Sequence, residues 1–172
     1  MGSLNDQNVP DWKLKLADCL ALFGHRNWIV VADSAYPAQS SPGIETVVAA
    51  ASQIEVVQAV AAAIAASTHT KALIHLDREL AFIQENDAPG VDLYRAQLQQ
   101  TLSGAKPRPA PHDEIIARLD QSARLFQALI IKTQMTIPYT SVFFELDCRY
   151  WSAEAEQRLR VAMQAESPKE RQ

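Results

Sequence analysis

Short runs of apolar and β-branched residues alternate along this chain with segments whose apolar side chains recur at helical spacing. The runs, each typical of a buried strand, are residues 27–33, 46–49, 71–76, 126–132 and 142–146. The helical segments lie around 11–23, 52–66, 77–102 and 112–123. Because strands alternate with helices, the pattern predicts an α/β fold: a three-layer α/β/α domain with a mostly parallel or mixed central sheet.

The length of 172 residues predicts a single domain over residues 1–172, with a core at about 11–150 and a C-terminal helical tail at 151–172. The tail helix is expected from about Ala153, with residues 167–172 frayed. Residues 103–111 hold four Gly or Pro among nine, which indicates a hinge-like connection. Too little chain follows this connection to build a second core.

Charge and hydropathy disfavour two classes of partner. The net charge is −4 and no basic face stands out, so we expect no nucleic acid. The longest apolar run, residues 56–66, is too short to cross a bilayer, so we expect no membrane. The N-terminus lacks the pattern of a secretory signal, and Cys19 and Cys148 share no short spacing. Reduced thiols and a cytoplasmic location are therefore predicted.

Common catalytic and cofactor motifs are missing from the sequence. It has no Gly-rich phosphate loop, no GxSxG elbow and no Cys or His pairs at metal-binding spacing. We therefore expect neither a cofactor nor a metal. His75 and Asp77 lie two apart in one predicted strand and so point to the same face. That geometry permits metal binding, although such a pair is more often structural.

Several polar residues flank the predicted strands. In an open α/β sheet ligands gather beyond the carboxyl ends of strands, which favours Asp33, Lys132 and the loop of Tyr139 as site residues. His25 follows Gly24, which is placed where a helix end favours positive φ, so this histidine can project into a cleft. Each residue also has a structural interpretation: His25 as a helix cap, Asp33 as a turn residue and Tyr139 as core packing.

Two sequence elements resemble those of the D-ribose pyranase and L-fucose mutarotase family. The first is the Gly24–His25 pair, followed by a buried strand that ends at Asp33, eight residues after His25, and by the loop DSAYPAQS. This loop is closer to the fucose mutarotase form. The second is the turn 138–141 (PYTS) before the final apolar strand VFFEL. The order of elements also fits the family from Leu16 to Leu146.

The resemblance implies the D-ribose pyranase-like fold and a cofactor-free isomerase that interconverts ring forms or anomers of a monosaccharide. Opening the sugar ring requires one proton delivered to the ring oxygen and one removed from the anomeric hydroxyl, and imidazole suits both steps. The resemblance makes His25 the proton donor, and makes Tyr139 a second catalytic residue that also binds the sugar. Besides Tyr139, the expected substrate-binding residues are Asp33, His112, Lys132 and Ser141. The resemblance further implies a homo-oligomer, a pentameric ring or a decamer, with sites at the subunit interfaces.

The chain also departs from the family pattern. Ser141 stands where the family has an amide, and its hydroxyl is shorter and lacks paired N–H donors. His112 occupies the place of a family His or Arg before a helix, but the helix here is about one turn longer than in the family. Glu145 or Asp147 could supply a new contact or simply end the strand. These departures leave a second interpretation open, a non-catalytic sugar-binding or regulatory module on the same scaffold.

Overall fold

The computed structural model describes residues 11–165, which form one six-stranded sheet with helices on both faces. The strands are β1 (Trp28–Ala32), β2 (Ile44–Val48), β3 (Thr70–Asp77), β4 (Arg108–Ala110), β5 (Ala128–Lys132) and β6 (Val142–Cys148). The helices are α1 (Trp12–Leu22), α2 (Gln53–Ala66), α3 (Val91–Thr101), α4 (His112–Ala123) and α5 (Ala153–Ala165), with a 3₁₀ turn at Arg78–Phe82.

The strand order is β2-β5-β1-β6-β3-β4. Only β6 among these six strands runs against its neighbours, since it pairs antiparallel with both β1 and β3 while the other pairings are parallel. The carboxyl ends of the five parallel strands therefore lie along one side of the sheet, where β6 begins. We call this side the carboxyl edge, as distinct from the edge strands β2 and β4. This arrangement confirms the predicted α/β class with a mostly parallel, mixed sheet.

The sheet separates two hydrophobic cores. Alternate side chains of β1 show the division, because Ile29 and Val31 pack on the side of α1, α2 and α3, whereas Trp28 and Val30 pack on the side of α4. All five residues of β1 are buried, as expected for a central strand covered on both faces. Each fully buried Val, Ile or Leu stabilises the fold by about 1.5–3 kcal/mol relative to an exposed side chain.

Three local features differ from the sequence-based expectation. The connection at 103–111 contains the short strand β4, which tolerates Pro109 because it is an edge strand. The final strand continues past Leu146 to Cys148. The predicted positive φ at Gly24 is wrong: α1 ends with Phe23 in an extended conformation, and the positive φ, 75°, falls at Arg26.

The tail helix α5 begins at Ala153, as predicted, and none of its residues is buried. Residues 167–172, predicted to fray, lie outside the described part of the chain. Among the described residues, no helix combines the length and the apolar character needed to cross a membrane.

Candidate active site

A cavity of about 560 Å³ opens at the carboxyl edge of the sheet. Its polar lining comes from the loop after β1, the start of α4 and the turn before β6, while Ile116, Ile137 and Pro138 supply apolar surface. The polar and aromatic side chains of the lining include those of Asp33, Tyr36, His112 and Tyr139. This volume and this mixture of surfaces are typical of small-molecule sites.

Asp33 follows β1 directly, as the sequence predicts, and its carboxylate is held from two sides. Oδ1 accepts a hydrogen bond of 2.9 Å from the backbone N–H of Ala35. Oδ2 accepts a longer one, 3.4 Å, from the hydroxyl of Ser141. A carboxylate can accept about four hydrogen bonds, so Asp33 keeps acceptor capacity for a ligand in the cavity.

Tyr139 adopts a left-handed backbone conformation with φ of 57°, which is uncommon for a large side chain. It is 39% exposed, so it does not serve as core packing. Its ring meets the imidazole of His112 edge to face, with the ring centroids 5.5 Å apart and an interplanar angle of 83°. Backbone strain of this kind costs about 1–3 kcal/mol and clusters at ligand-binding sites.

A buried hydrogen-bond network supports the turn that carries Tyr139. The side-chain amide of Gln53 donates to the carbonyls of Thr140, at 2.9 Å, and Val31, at 3.3 Å. The hydroxyl of Thr133 donates to the Gln53 carbonyl oxygen at 2.5 Å, and that of Tyr94 donates to the Thr140 carbonyl at 2.6 Å. Burial raises the pKa of Tyr94 above its ordinary value, which keeps its hydroxyl a donor. This network was missed in the sequence analysis. The feature that could have indicated it is Gln53, a polar residue at the start of the apolar helix α2.

His112 is the first residue of α4 and lies beside a buried carboxyl group. Its backbone N–H donates to both carboxylate oxygens of Glu79, at 3.0 and 3.1 Å. Its imidazole Nδ1 lies 3.0 Å from Oδ1 of Asp77, whose side chain is fully buried. Burial raises the pKa of Asp77 from 3.8 to about 6, although the neighbouring His112 acts in the opposite direction.

His25 lies at the other edge of the sheet, before β1. Its side chain is 57% exposed; Nδ1 is 3.0 Å from Oδ1 of Asp147, and Nε2 accepts a 3.2 Å hydrogen bond from Arg26. Strand β1 alone separates the two edges by about 13 Å. One chain therefore brings Asp33, His112, Tyr139 and Ser141 together, but not His25.

Lys132 is the last residue of β5 and is half-buried, and it is not among the residues that line the cavity. Lys132 pairs with Ala32 of β1, so along the strand direction Lys132 lies one residue before Asp33. The sequence placed Lys132 at the carboxyl edge correctly, whereas its contact with a ligand stays a prediction.

The residues of the predicted His75–Asp77 pair have separate partners. His75 stacks on Trp28 and lies 2.8 Å from a Glu145 oxygen, which also accepts a 2.6 Å hydrogen bond from Arg118. The hydrogen bond from His75 leads the effects that lower the pKa of Glu145. Glu145 thus lies inside β6 rather than at its end, and its side chain is paired with those of His75 and Arg118. Within residues 11–165, no group of three or more His, Cys, Asp or Glu side chains is arranged to hold a metal ion.

Comparison with known proteins agrees with the resemblance seen in the sequence. Residues 13–148 match the model of the RbsD / FucU transport protein family. Two solved structures share the fold with a TM-score of 0.55: RbsD of Bacillus subtilis complexed with D-ribose, and the fucose mutarotase of Streptococcus pneumoniae in complex with L-fucose. The first is 17% identical over 86% of this chain and 95% of that chain, and the second 16% over 82% and 94%. No curated protein matches the sequence. Since the family model covers most of the chain, the protein belongs to the RbsD / FucU family.

Proposed function

We propose that this protein is a cofactor-free isomerase that interconverts ring forms or anomers of a monosaccharide. The observation that carries the proposal is the cavity at the carboxyl edge, where a carboxylate, an imidazole and a phenol converge. A cavity of about 560 Å³ lies within the range of small-molecule sites. The two solved structures of the same fold hold D-ribose and L-fucose, which supports a sugar as the ligand here.

The cavity residues suit the chemistry of a free sugar. Asp33 has acceptor capacity for sugar hydroxyls, and the ring of Tyr139 offers an apolar surface beside a hydroxyl that can donate or accept. His112 places an imidazole at the same cavity. Ring opening needs a base for the anomeric hydroxyl and an acid for the ring oxygen, and an imidazole can fill either role near neutral pH.

His25 is proposed to act in the cavity of a neighbouring copy. It is exposed and lies at the opposite edge from Asp33, so it cannot join the cavity of its own chain. In the proposed ring of copies, a pentamer or a decamer, the end of one sheet at which β1 begins faces the carboxyl edge of the next sheet. His25 would then donate the proton to the ring oxygen of a sugar bound by its neighbour.

A non-catalytic sugar-binding module is the second candidate. Two observations favour it: Ser141 turns its hydroxyl to Asp33, and both ring nitrogens of His25 are engaged by Asp147 and Arg26. Such a protein would bind a sugar in the same cavity without accelerating ring opening. The two functions are therefore separated by a measurement of exchange rather than of binding.

Saturation-transfer NMR on a panel of aldoses measures that exchange directly. The wild-type protein should accelerate exchange of at least one sugar, and His25→Gln should reduce the acceleration by about 10²–10⁴-fold. His69→Gln is the matched control, because His69 lies outside the cavity, with Nε2 3.0 Å from the carbonyl oxygen of Phe23. Wild-type rates in His25→Gln would refute the role of His25. Sugar binding without any acceleration would favour the binding module.

Mixed assemblies test the shared site. His25→Gln and Asp33→Asn each inactivate every site of their own homo-oligomer if the two residues act on one sugar. When the two variants are unfolded together and reassembled, some sites combine an intact His25 with an intact Asp33 from the neighbour. Recovered exchange supports the shared site, whereas an inactive mixture made of folded assemblies contradicts it.

A further inference from the structure

Asp77 is a buried carboxyl group for which the proposed chemistry has no role. Its side chain has no exposed surface, and its Oδ1 lies 3.0 Å from Nδ1 of His112. Within residues 11–165, both Asp77 oxygens and His112 Nδ1 are buried without a hydrogen bond of good geometry. Leaving such atoms unpaired is costly, and a small rotation of the imidazole would let Nδ1–H of His112 donate to Oδ1 of Asp77. Nδ1 of His112 is thus the donor that lies within reach of this carboxylate.

We propose that Asp77 is a positioning residue that keeps the proton of neutral His112 on Nδ1 and so leaves Nε2 free to take a proton from a sugar hydroxyl. This inference rests on the proposed function. An ionised carboxylate only accepts hydrogen bonds, so the imidazole nitrogen that faces it must carry the proton. In the neutral ring the other nitrogen, Nε2, then has a lone pair. The edge contact with Tyr139 limits rotation of the same ring from another side.

The proton balance of ring opening defines what this arrangement does. Nε2 of His112 takes the proton from the anomeric hydroxyl, and the electron pair of that O–H bond forms the carbonyl. The bond between the anomeric carbon and the ring oxygen breaks, and its electron pair stays on the ring oxygen. That oxygen takes a proton from the acid, proposed above to be the neighbour's His25. Asp77 accepts the hydrogen bond of the resulting imidazolium and keeps its own charge.

A purely structural role for Asp77 at the start of α4 is already filled by another residue. Glu79 accepts the first backbone N–H of that helix with both carboxylate oxygens. Asp77 contacts the imidazole instead of the backbone. Glu79 therefore provides a matched control, a second carboxylate beside His112 that does not touch its ring.

The ¹⁵N chemical shifts of the imidazole nitrogens report the tautomer of His112. In the wild-type protein the neutral ring should carry its proton on Nδ1, and this measurement requires no variant. Asp77→Asn should abolish the preference, because an amide can accept from Nδ1–H or donate to a bare Nδ1. Glu79→Gln should retain it. A wild-type ring protonated on Nε2, or an unchanged tautomer in Asp77→Asn, would overturn the proposal.

Kinetics of sugar exchange provide the second readout. Asp77→Asn should lower kcat by about 10²-fold with little change in KM, since the proton transfer is impaired and the sugar contacts remain. Glu79→Gln should exchange sugar at close to the wild-type kcat. An unchanged kcat in Asp77→Asn would also overturn the role of Asp77. If the wild-type protein exchanges no sugar, the proposed function fails, and the tautomer measurement alone decides whether Asp77 positions the ring.

Discussion

Replacing Asp77 by Asn should stabilise the protein at neutral pH, because the folded chain keeps this carboxyl group away from water. Burial raises its pKa from 3.8 to about 6, against the opposing effect of His112. A pKa difference of about two between the folded and unfolded chains corresponds to about 3 kcal/mol. Since the folded pKa is the higher one, the contribution of Asp77 to the stability of the wild-type protein is fully present below about pH 4 and is lost as the pH rises through 6. The Asn variant does not undergo this loss. The Asn side chain has nearly the same shape and no charge to desolvate.

Urea unfolding of both proteins at about pH 4 and about pH 7.5 measures this effect. The free energy of unfolding of Asp77→Asn, relative to wild type, should increase between the two pH values by up to about 3 kcal/mol. Both proteins must be at the same concentration, because assembly couples to unfolding. A relative stability that does not change with pH would show that Asp77 does not titrate as a buried group, and the argument from desolvation would fail.

Two further substitutions test the local structure around the cavity and α2. Tyr139→Gly should unfold at a higher temperature than Tyr139→Ala, because both remove the ring but only Gly relieves the left-handed backbone, which contributes about 1 kcal/mol, while calorimetry should show that both bind sugar more weakly than wild type. A lower unfolding temperature for Tyr139→Gly than for Tyr139→Ala would contradict the strain. Ser52→Ala should lower the free energy of unfolding by about 1 kcal/mol, because it removes the observed capping box with Glu55. An unchanged urea midpoint would show that the cap contributes nothing.

The sequence predicted the class of fold because periodicity is a local property. Strand and helix patterns depend on residues that are neighbours in the sequence, and so does the capping box at Ser52. Strand order is not, since β1 pairs with β5 and β6, about 100 residues away. Strand β4 escaped prediction because it has three residues, one of them Pro109. The reversal of β6 had a usable signal, because the nine residues 133–141 are too few for a crossover helix.

The same distinction between local and distant pairing explains which features of the candidate site could be predicted from the sequence. The position of Asp33 and Tyr139 at the cavity was predictable, because each flanks a strand at the edge where parallel strands end. Asp77 was weighed only as a neighbour of His75, whereas its contact is His112, thirty-five residues further on. The position of His25 relative to the cavity could not be predicted, for another reason. Its eight-residue spacing to Asp33 spans a whole strand, so two residues that are close in sequence lie at opposite edges of the sheet.

That separation makes the proposed activity depend on assembly. A site that draws His25 from one copy and Asp33 from another does not exist in a single chain. Exchange activity per chain should therefore fall on dilution, over the same concentrations at which light scattering shows the assembly to dissociate. Asp147→Ala offers a control, since it removes the contact of His25 within its own chain but leaves the cavity residues unchanged. Full activity in a dissociated, folded chain would refute the shared site and would leave His112 as the imidazole available to the sugar.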